Sequence, residues 1–163
     1  MDRVWLTLGF VALWVVLVLL MWKGWRGRAR RQQDVIGELP AVPAEPGERI
    51  LEPTTGLYVG STIAPSWQDR IAVGDLGYRA TAELSRYRTG VLLERTGASP
   101  IWIPQESIRA IRTERGLAGK VMTKDGVLVI RWQLPSGTEI DTGFRGDDKS
   151  VYPLWTNGTG EQS

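Results

Sequence analysis

The 163 residues include neither cysteine nor histidine, which removes disulfides, thiolate and imidazole metal ligands, cysteine nucleophiles and every histidine-based triad or proton switch. The length suits one ordinary domain with an appendage and is too short for two full domains. The formal charge of +2 is uneven: Lys23, Arg26, Arg28, Arg30 and Arg31 carry +5, whereas the chain from residue 32 onward holds 14 basic and 17 acidic side chains. The positive field therefore belongs to one short segment, which argues against a nucleic-acid partner.

In chain order the first element is "VWLTLGFVALWVVLVLLMW", residues 4–22, without a charge and with Thr7 as its one side-chain hydroxyl. As a helix its 19 residues reach about 28 Å, close to the ~30 Å hydrocarbon core. A soluble helix needs a polar face, and this run has none. A cleaved signal peptide needs a basic start and small residues at its end, whereas here Asp2 and Arg3 precede the run and Met21-Trp22-Lys23 closes it. The reading is a retained single-pass anchor. The five cations of 23–31 outweigh Arg3, which places the N-terminus outside and the bulk of the chain in the cytoplasm, at the plasma (inner) membrane. Trp5 at one end, and Trp22 and Trp25 at the other, suit the headgroup depth. The candidate membrane-interface residues are thus Trp5, Trp22, Lys23, Trp25, Arg26, Arg28, Arg30 and Arg31. Trp14, mid-span, is expected to face lipid, the alternative being a helix–helix contact.

Residues 32–56 hold four prolines and five acids against one arginine, which predicts an extended, semi-stiff spacer between the anchor segment (1–31) and the domain. From residue 57 short apolar runs alternate with Gly, Pro and Asp. "LYVGSTIA" ends at Pro65; in "YRATAELSRY" Ala80, Ala82 and Leu84 share one face. "GVLLERTG" and "PIWIP" read as strands, "PQESIRAIRTER" as a helical turn or a bent strand, and "LAGKVMT" as a strand before a Lys124-Asp125-Gly126 turn. "VLVIRWQLP" turns Leu128, Ile130, Trp132 and Leu134 one way, and "TEIDTGFR" follows a Ser136-Gly137 turn. About seven strands at this spacing predict a mainly β chain with an antiparallel barrel or sandwich over 57–155. Residues 147–155 predict a short closing helix interrupted by Pro153, ahead of a disordered tail (156–163).

Within this order, "IPQESIRAIR", "GKV", "VLVIRW" and "DTGFR" resemble the bacterial pleckstrin-homology-like (PH-like) domains. With "GLYVGST", "WQDRI" and "GLAGKV", the chain resembles actinobacterial single-pass membrane proteins that carry a cytoplasmic PH-like domain. The resemblance implies a bent antiparallel β-barrel of about seven strands, capped by a C-terminal helix. Some relatives carry transporter or export labels, yet one helix cannot build an alternating-access transporter.

Few groupings suggest chemistry. "GLAGKVMT" fails as a phosphate loop, because position 114 is Glu and position 121 is Val, and Lys120 is expected to point outward. Arg86, Tyr87 and Arg88 in "SRYRTG" fall at a hairpin tip, a candidate lipid or partner contact on an otherwise solvated turn. Arg109, Arg112 and Arg115 are expected on an exposed edge, partly neutralised by Glu106 and Glu114. Glu139, Asp141, Asp147 and Asp148 are expected as surface acids beside Arg145 and Lys149. The "NGT" sequon at 157–159 is idle on a cytoplasmic tail. No catalytic residue, cofactor or metal is expected. The sequence thus predicts a non-enzymatic, membrane-anchored binding or scaffold module with a protein partner, and self-association through the helix or a strand edge. The alternative is an accessory subunit of a transport or export complex, with weak anionic-lipid binding by the domain.

Overall fold

The structure, a computed structural model, describes residues 1–117, 120–121 and 126–157. The expected Lys124-Asp125 turn, the direction of the Lys120 side chain, most of the "LAGKVMT" strand and the tail beyond residue 157 lie outside the described residues. The chain divides into two units, Met1–Asp34 and Val35 onward.

The first unit is the body of helix α1 (Asp2–Ile36), which no proline interrupts. The apolar run and the basic segment share this one helix, so the helix continues past the 19 uncharged residues instead of stopping at their end. None of its most apolar stretch is buried within the protein.

In the second unit, residues 37–48 are irregular, and nine strands follow among the described residues. These are β1 (Arg49–Ile63), β2 (Ala80–Tyr87), β3 (Gly90–Arg95), β4 (Ile101–Pro104), β5 (Ile108–Glu114), β6 (Gly116–Leu117), β7 (Lys120–Val121), β8 (Val127–Gln133) and β9 (Glu139–Gly146). Seven of them form one antiparallel sheet in the order β4-β3-β2-β1-β9-β8-β5, and β6 and β7 make a separate short hairpin. The long strand β1 joins the halves: Arg49 to Tyr58 pair with β2, and Gly56 to Ile63 with β9. Gly56 belongs to both pairings, and a Cβ there would lie 2.2 Å from the Arg145 carbonyl oxygen, so only glycine permits the approach. Three register irregularities along β1 supply the bend that lets it serve both halves.

The alternation read from sequence decides what lies inside. Leu128, Ile130 and Trp132 of β8 are buried with Ile140 and Phe144 of β9, and Leu84, Leu93 and Ile103 come from the other half. Trp132 Nε1 donates to Thr142 Oγ1 at 2.9 Å, which satisfies the one polar atom of a fully buried indole. Helix α2 (Tyr152–Thr156) closes the unit with Trp155 buried, and the Tyr152 hydroxyl accepts from Gly146 N and donates to the Gly126 carbonyl. Pro153 stands in the first turn of α2, where a missing N–H costs nothing. It starts the helix and does not interrupt it. The "PQESIRAIRTER" segment takes both forms, a 3-10 turn at Gln105–Ser107 and then β5.

The expected spacer at 32–56 is corrected. Residues 32–36 continue α1, and 49–56 form the first half of β1. Between them, Ile36 is buried in the core, Leu39 packs on it, and the Val35 carbonyl accepts from Ser136 Oγ and Thr138 Oγ1, each at 2.8 Å. The prolines at 40, 43 and 46 do keep the connection extended, but it runs along the domain: the Thr89 hydroxyl donates to the Pro46 carbonyl. Proline content ruled out a helix correctly and was silent on docking.

One buried cation secures the segment between β1 and β2. The Arg95 side chain is wholly buried; its Nη2 meets Asp75 Oδ1 at 2.8 Å, Nη1 donates to the Asp75 carbonyl and Nε to the Ser99 carbonyl. Its guanidinium lies 4.8 Å from the centroid of the Tyr58 ring, whose hydroxyl donates to the Leu76 carbonyl. Strand β3, the 3-10 turn at Gly74–Gly77 and β1 are thereby tied through one fork.

Candidate functional site

The eight membrane-interface candidates all lie on α1 with exposed side chains: Trp5, Trp22, Lys23, Trp25, Arg26, Arg28, Arg30 and Arg31. The Arg26 guanidinium sits 4.7 Å from the Trp22 ring, one helical turn away, so cation and indole form a pair within the helix. Trp14 is also exposed in this unit.

The hairpin candidates do not act together. Arg86 is buried; Nη1 donates to the Trp155 carbonyl at 3.2 Å, and Nε has no partner. Desolvation holds its pKa below the ordinary guanidinium value. Tyr87 packs with Leu92 and Trp102, and its hydroxyl accepts from Arg49 at 3.2 Å. Arg88 alone reaches solvent, and Glu48 pairs with it at 2.7 Å. The expected solvated hairpin is corrected at Arg86 and Tyr87 and not at Arg88: the alternation of β2 turns Arg86 under α2 and Tyr87 onto Leu92 and Trp102.

The site with the most developed electrostatics lies on the outer face of β9, β8 and β5. Asp141 was expected at the surface, yet its carboxylate is 2% exposed. Two guanidinium forks converge on it: Arg131 donates through Nε and Nη2, each at 2.9 Å, and Arg112 through Nη2 at 2.8 Å and Nη1 at 3.3 Å. Arg112 Nε also meets Glu114 at 2.8 Å. The cross-strand register explains the convergence, since Arg131 faces Asp141 on β9 and Ala110 on β5, a small residue beside which Arg112 reaches across. Around this group opens a cleft of about 460 Å³, lined further by Pro65 and Trp67 after β1 and by Arg115 and Gly116 after β5. Burial pushes the Asp141 carboxyl up, and the hydrogen bonds from Arg131 and Arg112 more than reverse this, leaving it below its ordinary value. The same bonds raise Arg112 against its own burial.

A consequence follows for acid stability. The folded Asp141 binds a proton less readily than the unfolded one, so its contribution is present above about pH 4 and fades as pH falls through the lower folded value. Equilibrium unfolding of Asp141→Asn is expected to lose about one proton of this acid dependence, ~1.4 kcal/mol per pH unit. An unchanged acid slope would contradict the double clamp.

Among the described residues no group of three or more Asp and Glu could hold a metal ion. The bent seven-stranded antiparallel sheet closed by a C-terminal helix defines a PH-like fold. The chain belongs to the bacterial PH domain-like family, whose model matches residues 36–160. PH-like domains are generally binding or scaffold modules. Among curated proteins none matches the chain.

Proposed function

We propose that this chain is a membrane-anchored binding module: the apolar run of α1 spans the plasma membrane with the N-terminus outside, and the PH-like domain serves a protein partner at the cytoplasmic face. The observation that carries the reading is the conjunction on one chain of 19 uncharged residues, five cations directly after them, and a small β-domain of a binding family. Near an anionic leaflet each cation is worth roughly 1 kcal/mol, which fixes the segment at the cytoplasmic headgroups. The domain offers two sheet edges, β4 and β5, at which a partner strand or a second copy can pair.

Mild crosslinking in intact membranes followed by affinity recovery of the full chain tests this. The expected result is a specific protein partner that is still recovered when residues 4–22 are replaced by an unrelated transmembrane helix. Loss of the partner on that exchange would assign the work to the helix, as in an accessory subunit of a transport complex. Recovery of lipid and the chain alone would sink the scaffold reading.

A further inference from the structure

Building on the reading of a protein-binding module, we infer that the cleft on the outer face of β9, β8 and β5 is the recognition site, and that it takes an acidic peptide segment of the partner, with a side-chain carboxylate on Arg115 and an apolar neighbour on Trp67. Among the described residues three cations and two carboxylates line the cleft, which leaves an excess of one positive charge. Asp141 and Glu114 neutralise Arg131 and Arg112, but among the described residues Arg131 Nη1 makes no hydrogen bond. Arg115 is exposed and, among the described residues, has no carboxylate partner, so the excess charge resides on a side chain open to a ligand. Beside Asp141 in the register, the Thr62 hydroxyl is fully buried and makes no hydrogen bond, a further unspent polar group under the same face.

The apolar part of the site is equally specific. Trp67 is 44% exposed at the cleft although it belongs to a β-domain whose other described tryptophans, Trp102, Trp132 and Trp155, are buried. With Pro65 it offers a flat surface on which an aromatic or aliphatic side chain gains contact at little entropic cost. The charge balance selects among anions. A planar, singly charged carboxylate matches a guanidinium fork and the single excess charge. A phosphate-rich headgroup would instead bring its multiple charge against the fixed carboxylates of Asp141 and Glu114. The ion triad on buried Asp141 acts as a rigid floor: with both forks held on one carboxylate, Arg112 and Arg131 are already oriented when a ligand arrives.

The test uses the full chain in zwitterionic detergent micelles and two fluorescein-labelled octapeptides, identical except for Gln-Phe-Glu or Gln-Phe-Gln at the centre. By fluorescence anisotropy the acidic peptide is expected to bind at least about tenfold more tightly than its amide twin. Arg115→Ala and Trp67→Ala, both surface substitutions, are each expected to weaken it by about tenfold, with Arg115→Lys recovering part of the loss. Arg88→Ala, at an exposed cation remote from the cleft, is expected to leave binding unchanged. Equal binding of the two peptides, or indifference to Arg115 and Trp67, would overturn the assignment. So would phosphatidylglycerol vesicles taking up the chain through Arg115 and Trp67 where the peptide does not. If these variants still crosslink the same partner in membranes, the cleft is refuted while the module reading stands; if no partner is recovered from any form, both fall.

Discussion

Replacing Arg95 with methionine is expected to lower the unfolding free energy by about 3 kcal/mol and the thermal midpoint by on the order of 10 °C. Methionine fills the space of the arginine stem but donates nothing. The Ser99 carbonyl, the Asp75 carbonyl and Asp75 Oδ1 would each lose a donor held at 2.8–2.9 Å, and the Tyr58 ring its cation. The cost sits at the low end for a broken buried pair, because Asp75 keeps some solvent exposure and its bond from Ser99 N at 2.7 Å. Arg95→Lys is expected to recover only part of the loss, since one ammonium cannot serve three acceptors arranged for a fork. Asp75→Asn should be milder than Arg95→Met. Thermal unfolding of the full chain in detergent, followed by near-UV circular dichroism, checks all three. A methionine variant that melts at the parental midpoint would show that the fork ties nothing together.

The second large effect concerns where the domain resides. Converting Lys23, Arg26, Arg28, Arg30 and Arg31 to glutamine removes the whole charge difference between the two flanks of the apolar run, leaving Arg3 as the nearest cation. Each cation contributes about 1 kcal/mol near an anionic leaflet, so the combined bias of about 5 kcal/mol is large enough to convert a single orientation into a mixture. The variant is expected to insert in both directions. A variant that still places every domain on the cytoplasmic side would assign orientation to another feature of the chain.

The parts of the protein that a local period encodes were legible in its sequence. The uncharged run declared a helix with no polar face, and the alternation of Leu128, Ile130 and Trp132 against Arg131 and Gln133 fixed which face of β8 is buried. Pairing across the sheet was not legible, because no period states which strands become neighbours. Asp141 therefore read as one of several surface acids, although it stands opposite Arg131 and within reach of Arg112 from a strand 29 residues earlier. Arg86 misled for the same reason: its spacing marked a basic hairpin, but α2, supplied from 69 residues further on, covers it. The acidic, proline-rich stretch before Tyr58 read as a spacer because its composition forbids a helix, while β1 needs no helix and uses Thr54, Thr55 and Gly56 as strand residues. The one available signal for the cleft was Trp67, a large aromatic among Pro65, Ser66, Gln68 and Asp69, in a stretch with no strand period to bury it.

Site-directed thiol labelling tests most directly whether one span holds the PH-like domain at the cytoplasmic face. The chain has no cysteine, so single cysteines placed at Asp2 and at the exposed Glu94 can be probed in intact cells without removing any other thiol. A membrane-impermeant maleimide is predicted to modify the cysteine at position 2 at once, and the one at position 94 only after the membrane is permeabilised. Labelling of position 94 in intact cells, or recovery of the chain in the soluble fraction after lysis, would contradict the account.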